Sequence, residues 1–323
     1  MDKMEFYKET NFKETPIGMI PEDWEVTRLN DILLLLRNGL TIEQNKDGIG
    51  HPVTRIETIS EEKIEPSKVG YVTQIDEKAL HEYKLLEGDI LFSHINSLEH
   101  IGKTAIYEGA PPFLLHGMNL LLLRPDRNRI HPKYLLYMLR LFKLRKIFWS
   151  MSKKAVNQAS INQTELGRLH VFLPQLSEQK AIAEILSVVD LAIQKTDEVI
   201  AKTERLKKGL MQELLTKGIG HKEFKDTEIG KIPKDWEVVR LGEIAEIIMG
   251  QSPPSSTYNE DKNGLPFLQG KMEFGEIYPS PKLYCSQPIK IAEANDVLIS
   301  VRAPVGDVNL AFLRVCIGRG LAA

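Results

Sequence analysis

Between residues 51 and 125 the chain alternates apolar and polar positions in short runs: "HPVTRIETI", "KVGYVTQI", "GDILFSHI", "GKTAIYEG" and "FLLHGMNLLLLRP". Gly, Pro, Asn or Asp separates them, and this pattern predicts short strands joined by turns. The period changes in "HPKYLLYMLRLFKLRKIFWSM" at 131–151. There Tyr134, Leu135, Met138, Leu141, Phe142 and Phe148 make one apolar helix face, with Pro132 in the first turn. A third pattern occupies 176–218. Ile182, Val189, Thr196, Thr203 and Leu210 repeat every seven residues, and so do Ile185, Ala192, Val199 and Leu206. Leu186, Ile193 and Ile200 widen this coiled-coil seam. Ser177 is the expected N-cap, and Gly218 and Gly220 the expected stop. About 41 residues of helix span roughly 60 Å, and such a stripe calls for a partner helix.

The same pattern is written twice. "FKETPIGMIPEDWEVTRLNDI" at 12–32 and "FKDTEIGKIPKDWEVVRLGEI" at 224–244 agree at 14 of 21 positions, 212 residues apart. "GDILFS" at 88–93 matches "NDVLIS" at 295–300, "IGKTAI" at 101–106 matches "VGDVNL" at 305–310, and "HGMNLLL" at 116–122 matches "GRGLAA" at 318–323. Order is kept while the offset falls to about 201, so the second copy has shorter loops. The expected organisation is an N-terminal lead (1–14), a first module (15–175), a long spacer helix (176–218) and a second, shortened module (219–323). The expected fold class is α+β, with two repeated modules of short twisted strands plus helices joined by a coiled-coil-type helix.

Composition narrows the function class by exclusion. The 323 residues are 42% hydrophobic and 27% charged, with a net charge of −2. No stretch is apolar and long enough to span a membrane, and the polar opening lacks the core of a signal peptide. With two cysteines, Cys285 and Cys316, free thiols in a cytoplasmic protein are expected. "SLEHIGKT" at 97–104 has Ser97 where a phosphate-binding loop needs its first glycine, and the second copy has Asp307 in place of Lys103. "APPF" at 110–113 lacks the polar residue of an adenine-methyltransferase tetrapeptide, "EEK" at 61–63 is an ordinary surface triplet, and the eight histidines show no metal-ligand spacing. No catalytic constellation emerges, so the chain is expected to bind rather than to catalyse.

Nucleic acid is the expected ligand. From Arg127 to Thr164 there are nine basic residues and no acidic one: Arg127, Arg129, Lys133, Arg140, Lys143, Arg145, Lys146, Lys153 and Lys154. Phosphates attract such a run, and the loop after the helix adds Asn157, Gln158, Ser160, Asn162 and Gln163, whose side chains can pair with base edges. Trp24 and Trp236 read as core anchors of each module rather than as base-stacking platforms, and Arg28 and Arg240 as structural ion-pair partners.

The opening motif "IPxDWEV" combined with "LPQLSEQKAIAEILSVVDLAIQKTDEVIAKTERLKKGLMQELLTKGIG" resembles the specificity subunit of type I restriction-modification systems, from about residue 12 to the end. The resemblance implies two target-recognition domains, each reading half of a split DNA site, with two antiparallel helices as spacer. It implies a subunit that is not itself an enzyme and binds no cofactor. Its partners are double-stranded DNA, methylation subunits using S-adenosylmethionine, and translocase-nuclease subunits using ATP and Mg. DNA contact is carried over only to loops of the first module: Lys153, Lys154, Asn157, Gln158 and Ser160 foremost, then Asn38, His94, Asn96, Ser97, Lys103, His116 and Asn119; the basic run itself adds Lys143, Arg145 and Lys146 on the helix. Family members continue past the second domain into a second long helix. Ala323 aligns with Leu122, so a truncated form is expected, with the helix stripe uncovered. Alternatives are a half-subunit that pairs with itself and reads a palindrome, and a helical adaptor that binds no DNA.

Overall fold

A computed structural model describes residues 11–155 and 158–323. Two compact units, 1–204 and 205–323, divide inside the long helix.

The first unit opens with a hairpin, β1 (Phe12–Thr15) and β2 (Gly18–Pro21), turned by Gly18 at φ +113°. There follow β3 (Glu25–Arg28), β4 (Leu33–Asn38), β5 (His51–Val53), β6 (Gly70–Val72), α1 (Glu77–Tyr83), β7 (Ile90–Phe92), β8 (Ile95–Asn96), β9 (Thr104–Ile106) and β10 (Leu121–Pro125). The chain continues through α2 (Pro132–Leu144), α3 (Ile147–Met151), β11 (Lys153–Ala155), β12 (Gln158–Ser160), α4 (Gln163–Gly167), β13 (His170–Leu173) and α5 (Leu176–Lys217). The central antiparallel sheet has the order β4-β10-β7-β9. Its apolar run "LLLL" at 120–123 is buried on both faces. Leu121 and Leu123 join Ile90, Phe92, Leu135 and Leu139 in one cluster, whereas Leu120 and Leu122 join Leu91 and Ala105 in another. The "DWEV" segment leads into β3, which β13 covers in antiparallel register from Arg28↔His170 to Glu25↔Leu173.

The single helix expected at 131–151 is two. Lys146 sits at φ +58° between α2 and α3, which turns Phe148 back into the core. Its ring meets Phe92 edge-on at 4.9 Å and lies over Gly102, where a Cβ would come within 2.4 Å of it. Leu141, expected on the apolar helix face, is exposed, while Leu136 and Leu139 are buried.

Among the described residues, helix α5 docks through about its first four turns, from Leu176 to about Asp190. Gln179 and Ala183 are buried. The Gln179 carboxamide accepts from His131 N (2.8 Å) and donates to Pro174 O (2.8 Å) and Arg129 O (3.1 Å). It thereby satisfies backbone groups that a helix junction would otherwise orphan. Tyr137 Oη donates to Asp190 (2.9 Å), and Trp24 Nε1 donates to Glu178 Oε2 (3.1 Å). Ile182 is half-buried, but Ile185, Val189, Ala192, Thr196, Val199, Leu206 and Leu210 are exposed. Gly218 at φ +66° ends the helix.

The second unit repeats the first. It contains β14 (Phe224–Thr227), β15 (Gly230–Pro233), α6 (Leu241–Ile244), β16 (Tyr258–Asn259), β17 (Leu265–Leu268), β18 (Leu283–Cys285), β19 (Ile291–Ala292), β20 (Val297–Ser300), β21 (Val308–Leu310), β22 (Val315–Ile317) and β23 (Leu321–Ala322). Sheets run β16-β18-β17-β22-β19 and β21-β20-β23. Hairpin β14–β15 pairs Phe224↔Pro233 as β1–β2 pairs Phe12↔Pro21. Ile299 pairs with Val308 and Ala322, as Phe92 pairs with Thr104 and Leu121. Asp296 accepts from Glu293 N as Asp89 accepts from Leu86 N, each at 2.8 Å. Gly39 and Gly250 each abut a carbonyl, of Gly117 and Gly318 respectively, too closely for any Cβ. This register places Ala323 at the position of Leu122. Among the described residues, 237–240 form no strand.

Candidate nucleic-acid interface

A small sheet of order β11-β12-β8 gathers much of the expected site. Lys153 pairs with Ser160, Ala155 with Gln158, and Ala159 with Asn96. Sequence positions 96 and 159 thus become neighbours, and Ser97 continues β8 outward. Asn96 Nδ2 donates to Ser93 Oγ (3.1 Å), and its Oδ1 accepts from Ser97 N (2.8 Å), so the carboxamide is oriented. Asn38 joins through Gln163, whose Oε1 lies 3.4 Å from Asn38 Nδ2 and whose Nε2 donates to Leu36 O at 2.6 Å. Lys153 Nζ stands 3.7 Å from Glu165 on an exposed surface, a weak pair that leaves the ammonium available to a phosphate. Asn157 lies outside the described residues. So does the side chain of Lys154, whose backbone belongs to β11. Amides, hydroxyls and an ammonium on one sheet suit base edges and phosphates.

Other expected contacts need correction. His116 is fully buried, with Nε2 on Leu120 O at 3.0 Å, and burial pushes its pKa down to about 3. Its counterpart by register is the buried Ile317, so the position is a core position. His94 is also buried, and desolvation lowers its pKa to about 4. Lys103 Nζ is held on Ser60 O at 2.5 Å. Asn119 is exposed but occupies a left-handed turn position at φ +66°, a conformation Asn favours for itself.

The basic run is one-signed in sequence but largely paired in space. Lys143 binds Glu62, Lys133 binds Glu108 (2.7 Å), and Arg140 bridges Glu62 and Asp190 (3.4 Å to the latter). Arg127 and Arg129 donate to the carbonyls of Glu87 and Asp31. Lys143 is therefore no free DNA contact. The acids that neutralise the run come from loops remote in sequence, which composition of the run itself cannot reveal. Arg145 and Lys146 stay exposed, without an ion pair among the described residues. Trp24 packs on the main core, as expected of an anchor. Arg28 and Arg240 are exposed and make no ion pair among the described residues, against expectation. None of the DNA-contact residues expected from the sequence lies in the second unit. The repeat alignment points there, to residues 301–304 as counterparts of His94–Ser97.

Among the described residues no group of His, Cys, Asp or Glu side chains could hold a metal ion, and no helix is long and apolar enough to cross a membrane.

The family model for the type I restriction modification DNA specificity domain matches residues 21–205 and 233–316. A Methanocaldococcus jannaschii protein named for the type I restriction enzyme MjaX specificity subunit is 61% identical over 322 residues, covering 99% of this chain and 76% of that one. The MjaVIII specificity subunit of the same organism is 30% identical, covering 96% and 72%. A solved chain from work on complex assembly and conformational transition of the type I system superposes with a TM-score of 0.59 at 28% identity, covering 94% and 75%.

Proposed function

Since the chain belongs to the type I restriction-modification DNA specificity family, we propose that its two units are target-recognition domains and that each reads one part of a split DNA site. The chain is the DNA-recognition subunit of such a system. It supplies binding and direction, while S-adenosylmethionine, ATP and Mg serve the methylation and translocase-nuclease subunits it recruits. One observation carries this reading: β9, β7 and β10 of the first unit and β21, β20 and β23 of the second pair in the same register, with different side chains at the matching strand ends. A shared frame with variable ends is what two readers of different sequences require. The first unit reads through the β8–β12–β11 surface, which carries Asn96, Ser97, Lys153, Gln158 and Ser160, with Asn38 joined to it through Gln163. Lys154 and Asn157, adjacent to this surface in sequence, and the exposed Arg145 and Lys146 are proposed as further DNA contacts. The exposed stripe of α5 is suited to a partner helix, since several large apolar side chains there stand in water.

The test is nuclease footprinting of the chain assembled with its methylation subunits on a duplex selected for binding. Two protected patches separated by an accessible gap are expected. One continuous patch, or protection unaffected by replacing Lys153 and Ser160 together, counts against the reading.

A further inference from the structure

The second unit contains a groove of about 650 Å³ lined by Ser252, Tyr258, Gln269, Lys271, Arg302 and Arg319 among others. No residue lining it carries a carboxylate side chain. Lys271 is already bound to Asp307 at 2.8 Å. Arg302 and Arg319 are exposed, and neither guanidinium has an ion-pair partner among the described residues. This is the reverse of the first unit's α2 run, where most cations are neutralised internally.

Their placement is built by backbone. Arg319 N donates to Ser252 Oγ (3.2 Å). Val301 N donates to Gly320 O (2.9 Å), which staples the loop bearing Arg302 to the loop bearing Arg319. Gly320 N in turn donates to Gln269 O (3.2 Å), and a Cβ on Gly320 would fall 2.4 Å from that oxygen. The close approach that brings the loops together therefore needs glycine. By strand register, Arg302 stands two residues beyond Ser300 as Ile95 stands two beyond Ser93. Arg319 falls at the position of Met118. The groove thus occupies the same strand ends that carry Asn96 and Ser97 in the first unit, with other chemistry.

We infer that Arg302 and Arg319 are specificity-determining residues of the second unit and that they read guanine. Guanine offers two acceptors, O6 and N7, on its major-groove edge, and a guanidinium fork matches both at once. Two unpaired arginines on stapled loops, in a groove lined by no acid, present such forks without an internal competitor. The inference rests on the chain being a DNA-recognition subunit.

The experiment is selection from a random-sequence duplex library by the full chain assembled with its methylation subunits. Wild type is compared with Arg302→Ala, Arg319→Ala and the corresponding Lys variants, each checked for an unchanged thermal unfolding profile. Wild type should enrich a two-part sequence. Each Ala variant should lose guanine preference in one part by about tenfold and keep the other part intact. The Lys variants, which retain charge and donors but not the planar fork, should keep a weaker guanine preference in that part. If all variants keep both parts, or if Ala variants weaken every sequence alike while Lys variants restore binding, the arginines are at most phosphate contacts and the inference falls. The DNA-reading function survives those outcomes. If wild type enriches no sequence, that function falls too.

Discussion

Leu29 and Ile32 are wholly buried, whereas Leu241 and Ile244, the same positions 212 residues on, are 64% and 69% exposed. The local sequences are nearly alike, "VTRLNDI" and "VVRLGEI", and each begins a short helical turn. What differs is the cover. In the first unit, Leu29 N donates to Leu169 O (2.8 Å), β13 zips onto β3, and Leu29 and Ile32 share one buried cluster with Leu135, Leu139 and Leu166. No described element does this in the second unit. The burial of a residue is thus a property of segments more than a hundred positions away, and a repeated motif need not inherit it.

The strongest way to break this comparison is to truncate both members of a pair. Ile32→Ala should cost the first unit about 2–5 kcal/mol, and Ile244→Ala no more than about 0.5 kcal/mol, in the isolated chain. Denaturant titration read by hydrogen exchange within each unit measures both. Equal costs would show that Ile244 is covered after all.

Acid should separate the units next. His116 and His94 are held neutral by burial, with pKa values of about 3 and about 4 against an ordinary 6.5. Their depressed folded values mean that the unfolded chain binds protons first. Stability is therefore full above about pH 6.5 and falls as pH drops toward 4, by at most about 1.4 kcal/mol per pH unit for each histidine. The second unit has Ile317 and Val301 at these places and should lack this contribution. Replacing both histidines by these residues should flatten the first unit's pH profile between 6.5 and 4.

A finer contrast lies in Asp89 and Asp296. Both cap a turn, but Asp89 also takes two hydrogen bonds from Arg124, at 2.8 and 2.7 Å. Asp89→Asn should cost about 1.5–3 kcal/mol and Asp296→Asn under about 1 kcal/mol, measured by the same titration. The smallest expected effect concerns DNA. Lys153→Ala should reduce the salt slope of binding by about one, and Lys143→Ala, whose ammonium already serves Glu62, should leave it unchanged. A change at Lys143 equal to that at Lys153 would return α2 to the interface.

Much of the fold was legible because it is periodic or repeated. The strand runs, the α5 seam and the offset between copies all follow from side-chain spacing, and the sheet register agrees with the sequence alignment down to Ala323 opposite Leu122. Contacts between remote segments were not legible. The break at Lys146 depends on the space above Gly102 for Phe148. The basic run looked free because Glu62, Glu108 and Asp190 are distant in sequence. His116 looked like a loop histidine, although its repeat partner, Ile317, is an apolar residue and already hinted at a core. For the candidate interface, proximity of Asn96 to Ser160 arises only from β8–β12 pairing, and Arg302 and Arg319 became visible only when backbone bonds joined their loops.

The central claim is that one chain reads DNA through two copies of one frame. Methylome sequencing of a host carrying this gene with its methylation partner tests it most directly. Gene-dependent adenine methylation at a two-part motif with an unspecified gap of fixed length is expected. Gene-dependent methylation at a single uninterrupted motif, or none, would contradict it.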